Sequence, residues 1–207
     1  MHVTVLGAGT MGHGIAQVSA MAGHDVTLRD IESDIVADGI DAICSNLDGG
    51  VDHGKVTEAE RDATLANITG ETDLAAAVGG ADLVAEAVPE DIDLKTTVLA
   101  DAEEVAGEDV VLATNTSSLS VTELASGLER PGSLIGLHFF NPVHIMSLVE
   151  VVVGERTDQS ARTFAVEFVE GIDKTPVVVR DVPGFASSRL GVALGVEAIR
   201  MVEEGVA

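Results

Sequence analysis

The amino-acid sequence predicts an α/β fold built on a doubly wound, mostly parallel sheet. A short apolar strand at residues 2–6 leads through a glycine-rich turn into a helix of small residues at 11–22, and a second strand follows at 25–29. Strand and helix patterns then alternate as far as residue 179, which is typical of parallel sheets with crossover helices. Because 46% of the 207 residues are apolar, the chain can bury a sizeable core.

The later elements are predicted from runs of apolar residues for strands and from apolar residues at helical spacing for helices. Thr57 and Glu60 form a capping-box pattern at the start of one helix. The remaining predicted strands are 82–88, 110–113, 134–138, 147–153 and 175–179. The remaining predicted helices are 33–50, 57–65, 92–105, 161–169 and 185–204.

A glycine-rich segment, GAGTMG at 7–12, separates the first strand from the first helix and fits the GxGxxG fingerprint. Gly7 permits the tight turn, Gly9 lets the backbone approach a pyrophosphate, and Gly12 lets the helix pack closely on the sheet. The helix opens with free N–H groups that favour phosphate, at Thr10 and Met11. The segment therefore predicts a Rossmann-type dinucleotide-binding domain.

An acidic residue follows the second strand, at the spacing expected for a contact to the adenosine ribose. Asp30 would accept hydrogen bonds from the ribose hydroxyls and would repel the extra phosphate of NADP. Arg29 leaves the alternative open, because a neighbouring arginine can accommodate that phosphate. We expect NAD as the cofactor.

The charge balance is strongly acidic, with 35 Asp and Glu residues against 11 Lys and Arg and a net charge of −24. Nucleic acids and anionic membranes are poor partners for such a surface. The positive mean hydropathy of +0.32 argues against disorder. We expect a folded protein of the halophile type, whose acidic surface is screened by molar internal salt.

Cys44 is the single cysteine, so the chain can form no internal disulfide, which fits a reducing cytoplasm. The sequence shows neither a membrane-span pattern nor a signal-peptide pattern. No His, Cys and Asp cluster has the spacing of metal ligands. These observations predict a cytoplasmic protein without a metal site.

Five sequence blocks resemble the 3-hydroxyacyl-CoA dehydrogenase family, which includes 3-hydroxybutyryl-CoA dehydrogenases. The blocks are GAGTMGHGIA, LVAEAVPEDIDLK, ATNTSSLSVTELA, GLHFFNPVHIMSLVEVV and DVPGFASSRL. They run along essentially the whole chain, and the last three are long and specific. The resemblance implies an NAD-dependent dehydrogenase with an acyl-CoA substrate.

The resemblance also assigns roles to the residues of the predicted reaction site. Removal of a hydride from a secondary alcohol needs a base for the hydroxyl proton, and histidine suits this role. By resemblance, His138 is that base, Glu150 is hydrogen-bonded to it, and Ser117 hydrogen-bonds the substrate oxygen. Without this context, a histidine at a strand end is more often structural, and a glutamate within a strand can simply face solvent.

Further residues are assigned to the cofactor by the same resemblance. Asn115 is implied to contact the nicotinamide half, and Glu90 and Lys95 are implied to line the cofactor. The chain departs from the family at Ser188, where the usual residue before the arginine is an asparagine that helps complete the active site. Serine is shorter but keeps a donor and an acceptor, so we expect altered substrate positioning.

The pattern changes at DVPG, 181–184, which predicts a division into a dinucleotide-binding domain, 1–183, and a second region, 184–207. By resemblance, the second region is the first helix of a truncated all-α C-terminal domain that forms the dimer interface and closes the substrate site. Its apolar stripe has to be buried. We therefore expect a homodimer or a complementing helical chain as partner.

Three functions remain open at this point. The first is oxidation of (S)-3-hydroxyacyl-CoA to 3-oxoacyl-CoA in fatty-acid β-oxidation or butanoate metabolism. The second is an NAD-binding half that is inactive alone and needs a complementing helical domain. The third is a dehydrogenase of another β-hydroxy acid on the same fold, against which the GLHFFNPV and NTSSL blocks speak.

Overall fold

The computed structural model describes residues 1–207 and confirms the α/β prediction, with one sheet of eight strands. Their spatial order is β3-β2-β1-β4-β5-β6-β7-β8. Strands β7 and β8 are parallel to each other and run opposite to the other strands, since β7 pairs antiparallel with β6. The strands are β1 (His2–Leu6), β2 (Asp25–Arg29), β3 (Ile68–Glu71), β4 (Leu83–Glu86), β5 (Val111–Thr114), β6 (Leu134–Phe139), β7 (Leu148–Val153) and β8 (Thr175–Arg180).

Helices cover both faces of this sheet, and each face has its own apolar core. A cluster of 26 buried residues includes side chains of α1, α2 and α7, and a cluster of 14 includes side chains of α4, α5 and α6. The capping box predicted at Thr57 is present at the start of α3. The helices are α1 (Thr10–Met21), α2 (Ser33–Asp52), α3 (Glu58–Ala66), α4 (Leu74–Val78), α5 (Ile92–Val105), α6 (Val121–Ala125), α7 (Gln159–Gly171) and α8 (Ser187–Glu203).

The sequence interpretation missed one short strand, β3, and two short α-helices, α4 and α6. Each has only four or five residues, too few for an apolar period to show. The two helices begin at side-chain caps instead, because Asp73 accepts from the amide of Ala76 and Ser120 accepts from that of Glu123.

The chain reverses its direction of travel across the sheet at β1. Strands β2 and β3 extend the sheet on one side of β1, and β4 pairs on the other side. Ligands of open α/β sheets bind at such a switch point, outside the carboxyl ends of the strands. The fold therefore places a cleft at the ends of β1 and β4, next to the glycine-rich segment.

The segment after β8 leaves the sheet through two residues in the left-handed region, Gly184 with φ +76° and Phe185 with φ +47°. The Phe185 side chain is buried in the smaller apolar cluster. Helix α8 then follows with no buried residue, and its exposed apolar side chains include Leu190, Leu194 and Ile199. No helix of the structure is both long and apolar enough to cross a membrane.

Candidate active site and cofactor cleft

A cleft of about 680 Å³ opens at the switch point of the sheet. One part of its wall is apolar and comprises Ile31, Ile35, Leu94 and Val98. Most residues that the sequence assigned to the cofactor or the substrate oxygen also line it, namely Gly7, Gly9, Thr10, Met11, Asp30, Glu90, Asn115 and Ser117. The fold thus brings residues from four separate stretches of the chain to one cavity.

The three glycines of the fingerprint occupy three different environments. Gly7 has φ +100°, and a Cβ there would lie 2.7 Å from the carbonyl oxygen of Ala87. A Cβ on Gly12 would collide with the carbonyl oxygen of Gly7, so α1 packs tightly on the turn at this point. A Cβ on Gly9 would meet nothing within 4 Å, because Gly9 faces the open cleft. Gly9 therefore leaves room at the N-terminus of α1 for a phosphate group.

Asp30 and Arg29 lie at the end of β2, on the wall of the cleft. The Asp30 carboxylate accepts the backbone N–H of Ala8 at 2.8 Å and that of Ile31 at 2.7 Å. Arg29 donates its Nε–H to the carbonyl oxygen of Thr72 at 3.0 Å, which ties its guanidinium to the end of β3. The Asp30 carboxylate is thus fixed at the cleft, where its charge would repel the extra phosphate of NADP, and this favours NAD. The terminal N–H groups of Arg29 make no hydrogen bond, so the argument for NAD depends on Asp30.

Lys95 is fully buried beneath the cleft and does not reach its wall, contrary to its expected place beside the cofactor. Its Nζ donates to Glu86 Oε1 at 2.7 Å and to the carbonyl oxygens of Val88 at 3.1 Å and Asn115 at 3.2 Å. These bonds use all three ammonium protons. A buried ammonium is stable only when acceptors inside the protein replace water. Because Lys95 takes its acceptors from residues at the cleft, it supports the segments that line it.

Glu86 is the buried partner of Lys95 and was not among the predicted site residues. Its carboxylate also accepts the hydroxyl of Thr114 and the amide of Val88. Burial raises the pKa of the Glu86 carboxyl, against the lowering effects of the Lys95 ammonium and the Thr114 hydroxyl. A signal was available, because an acid within the apolar strand LVAEAV requires a buried partner.

Glu90 holds the loop that carries Ser117. Its Oε1 accepts the Thr116 hydroxyl at 2.6 Å and the amides of Ser117 at 2.9 Å and Ser118 at 3.2 Å, and its Oε2 lies 3.6 Å from Lys95 Nζ. Burial raises the pKa of Glu90, but these hydrogen bonds and the ammonium outweigh it and hold the pKa below its ordinary value. The Ser117 hydroxyl makes no hydrogen bond and is exposed at the cleft.

His138 and Glu150 are directly opposite each other on β6 and β7, which puts both side chains on one face of the sheet. His138 Nδ1 and Glu150 Oε2 are 2.7 Å apart, and both residues are buried. The imidazole packs against two phenylalanine rings, with centroid distances of 4.5 Å to Phe140 and 5.7 Å to Phe185. Its Nε2 makes no hydrogen bond, so one ring nitrogen is fixed and the other is available.

The first residues of α8 supply the remaining partners of Glu150. Its Oε1 accepts the amides of Ala186 at 3.1 Å and Ser187 at 2.8 Å, and its Oε2 accepts the Ser187 hydroxyl at 2.8 Å. Burial raises the pKa of the Glu150 carboxyl, but the hydrogen bonds from His138, Ser187 and Ala186 outweigh it and lower the pKa. Glu150 is therefore held as a carboxylate, and it caps α8 from a neighbouring strand.

Two further hydrogen bonds connect this pair to the cleft. Asn115 Oδ1 accepts the backbone N–H of Phe139 at 3.0 Å, which ties the end of β5 to the end of β6 beside the histidine. The Ser188 hydroxyl lies 3.3 Å from the carbonyl oxygen of Ser117. Asn115 and Ser117, which line the cleft after β5, are thus linked to the catalytic pair. Asn115 binds the residue next to His138, and Ser117 binds the residue next to Ser187, a partner of Glu150.

The family model described as 3-hydroxyacyl-CoA dehydrogenase, NAD binding domain, matches residues 2–182. The chain belongs to the 3-hydroxyacyl-CoA dehydrogenase family. Its NAD-binding domain confirms the expected cofactor.

Similar proteins cover the chain almost completely. It is 40% identical to the mitochondrial hydroxyacyl-coenzyme A dehydrogenase of Sus scrofa over 99% of the chain and 67% of that protein. It is 43% identical to the fatty acid oxidation complex subunit alpha of Idiomarina loihiensis over 98% of the chain but only 28% of that subunit. The crystal structure of (S)-3-hydroxybutyryl-CoA dehydrogenase PaaH1 from Ralstonia eutropha superposes with a TM-score of 0.96 at 38% identity, covering 100% of this chain and 72% of that one.

Within this domain, the predicted catalytic residues lie on four neighbouring segments: Ser117 follows β5, His138 is on β6, Glu150 is on β7 and Ser188 is in the first turn of α8. His138 and Glu150 are in contact, and Ser188 contacts the loop of Ser117. Ser187 was missed, since two adjacent serines give no sequence signal as to which one faces the carboxylate. No group of three or more His, Cys, Asp and Glu side chains is placed to hold a metal ion.

Proposed function

We propose that this chain carries the NAD site and the catalytic base for oxidation of (S)-3-hydroxyacyl-CoA to 3-oxoacyl-CoA. The observation that carries the proposal is the His138–Glu150 pair, whose imidazole offers an unpartnered Nε2. The names of the relatives support the substrate class, since they include hydroxyacyl-coenzyme A and 3-hydroxybutyryl-CoA dehydrogenases.

The proton chemistry follows from the hydrogen bond at Nδ1. A neutral imidazole that donates its Nδ1 proton to Glu150 has its lone pair on Nε2. Nε2 would therefore accept the hydroxyl proton of the substrate, and the Glu150 carboxylate would stabilise the resulting imidazolium. Bound NAD supplies the acceptor for the hydride that leaves C3 of the substrate. The free hydroxyl of Ser117 would donate to the substrate oxygen and hold it near Nε2.

The shape and lining of the cleft support one orientation of the cofactor. The open space at Gly9 and the N-terminus of α1 would receive the pyrophosphate, and Asp30 would accept the adenosine ribose hydroxyls. Asn115 lines the cleft next to the histidine strand, so its side-chain amide would meet the nicotinamide half. Lys95 and Glu90 would act on the cofactor through the loop that they hold.

Helix α8 favours the second candidate, an NAD-binding half that is inactive alone. The helix exposes a row of large apolar side chains and buries none. Such a face associates with another apolar surface in water. We propose that further helices, in a second copy or a complementing chain, cover it and close the substrate site, with residues 184–207 as the start of this helical region. Without such closure, water would reach the reacting atoms.

A turnover assay separates the two candidates. The 207-residue chain in molar KCl is mixed with NADH and acetoacetyl-CoA, and NADH oxidation is followed by absorbance. The first candidate predicts turnover that falls at least about 100-fold in His138→Ala. Turnover should be retained in His53→Ala, because His53 is an exposed histidine that does not line the cleft. NADH binding without turnover, in a folded sample, would favour the second candidate. Absence of both binding and turnover would refute both.

A further inference from the structure

We propose that Ser187 is a positioning residue that tunes the His138–Glu150 pair through its hydroxyl. The proposal rests on the assignment of His138 as the base. The Ser187 hydroxyl and the His138 ring donate to the same oxygen, Glu150 Oε2, at 2.8 and 2.7 Å. The Ser187 hydroxyl is engaged with Glu150, so its expected effect on the reaction passes through that carboxylate.

The four hydrogen bonds of Glu150 fill the acceptor positions of its carboxylate. Two amide donors of the α8 N-terminus bind Oε1, and the hydroxyl and the imidazole share Oε2. Glu150 is 1% exposed, so water contributes little to the stabilisation of its charge. The negative charge that His138 meets is therefore set by these donors, and one of them is a side chain that can be removed without altering the backbone.

The other surroundings of Glu150 carry no competing charge. Its register partner on β8 is Val177, and Arg189 in the first turn of α8 forms no ion pair with it. His138 is the single titratable side chain among its hydrogen-bond partners. A change at the Ser187 hydroxyl therefore acts on one acid–base pair.

The expected direction follows from the sharing of Oε2. The Ser187 hydroxyl withdraws part of the carboxylate charge and so weakens the bond to a protonated imidazole. Loss of the hydroxyl leaves Oε2 more basic, and the imidazolium becomes more stable. His138 then gives up its proton at higher pH. In the oxidation direction, where the base must be neutral, the acidic limb of the rate profile moves to higher pH.

The test is an NMR titration of the His138 ring in the full chain, compared between the wild type and Ser187→Ala. In Ser187→Ala we expect the midpoint of this titration to move to higher pH by roughly 0.5 unit. A shift of this size corresponds to a fraction of the free energy of one hydrogen bond to a charged group. Ser188→Ala is the matched control, since its hydroxyl faces the Ser117 carbonyl, and we expect the midpoint to stay in place.

A second pair of variants guards against a misfolded alanine variant. Ser187→Thr keeps a hydroxyl, and Ser187→Val has the shape of threonine without the hydroxyl. The midpoint should therefore stay near the wild-type value in Ser187→Thr and rise in Ser187→Val. An unchanged or lower midpoint in the folded variants that lack the hydroxyl would overturn the proposal. The titration needs no turnover, so a shifted midpoint in a chain that neither binds NADH nor turns over would refute the proposed function and leave the effect of Ser187 on the His138–Glu150 pair standing.

Discussion

Two buried carboxylates, Glu86 and Glu150, each pair with a basic side chain at the same edge of the sheet, yet they are built for different tasks. Glu86 faces Lys95, whose three protons all have acceptors inside the protein. Glu150 faces His138, which has one ring nitrogen bonded and one free. The pKa of Glu86 is raised by burial, whereas that of Glu150 is lowered by its donors.

The difference separates a structural pair from a chemical one. A buried pair whose donors are all engaged cannot exchange a proton without breaking its own network, so the Lys95–Glu86 pair fixes geometry. A histidine with an open nitrogen beside a cleft can take a proton while its partner stabilises the new charge. Burial and short distance are common to both pairs, so neither property alone identifies a catalytic group.

The largest expected effect is on turnover, in Glu150→Gln. A glutamine can accept from Nδ1 or donate to it, so the His138 ring loses its fixed tautomer. It also loses the negative charge of its partner, which stabilises the imidazolium. We expect kcat for acetoacetyl-CoA reduction to fall by about 1,000-fold or more, with NADH affinity retained because Glu150 does not line the cleft. Steady-state kinetics and NADH titration measure the two quantities. A loss of less than about tenfold would place Glu150 with the structural pair.

The largest expected effect on stability is in Lys95→Met. Removal of the ammonium leaves Glu86 as an unpaired buried charge, and such a change lowers the free energy of unfolding by about 3–5 kcal/mol. Urea denaturation in molar KCl measures it, with the exposed Lys55→Met as the matched control. The double variant Lys95→Met with Glu86→Leu should recover most of the loss. Equal stability of Lys95→Met and Lys55→Met would contradict the role of this pair.

Two glycine variants sharpen the comparison between cleft and framework. Gly9→Ala places a methyl group in the open cleft, so we expect weaker NADH binding by roughly tenfold and an unchanged free energy of unfolding. Gly12→Ala drives a methyl group into the carbonyl of Gly7, so we expect a loss of stability of about 1–3 kcal/mol. Fluorescence titration and urea denaturation test both variants. A stable Gly12→Ala, or a Gly9→Ala that binds NADH normally, would show that the turn relaxes around the added carbon.

The smallest expected effect is on the pH dependence of stability. The pKa of Glu150 in the folded protein lies below the ordinary value of a glutamate, so its carboxylate stabilises the fold above that ordinary value. This contribution to stability is lost as the pH falls through the folded pKa. Glu150→Gln removes this titration, so its free energy of unfolding should fall less steeply than that of the wild type below about pH 5. Parallel curves for the two proteins would contradict the lowered pKa.

The sequence predicted the elements that carry a repeating pattern. The βαβ unit, the glycine turn and helix α5, expected at 92–105, all lie where the apolar period placed them. It did not predict α4 and α6, whose starts depend on single caps, or Ser187, which meets Glu150 across 37 positions. Lys95 was expected at the cofactor by resemblance to the family, whereas in the structure its ammonium is buried against the acid of β4, Glu86.

The central claim is that Glu150 fixes the imidazole of His138 so that Nε2 serves as the base. A long-range ¹H–¹⁵N correlation spectrum of the full chain, recorded above the titration of the His138 ring, reports which nitrogen carries the proton. The account predicts a proton on Nδ1 and an unprotonated Nε2, and loss of this single form in Glu150→Gln. A proton on Nε2 would contradict the account, because that nitrogen could then only donate.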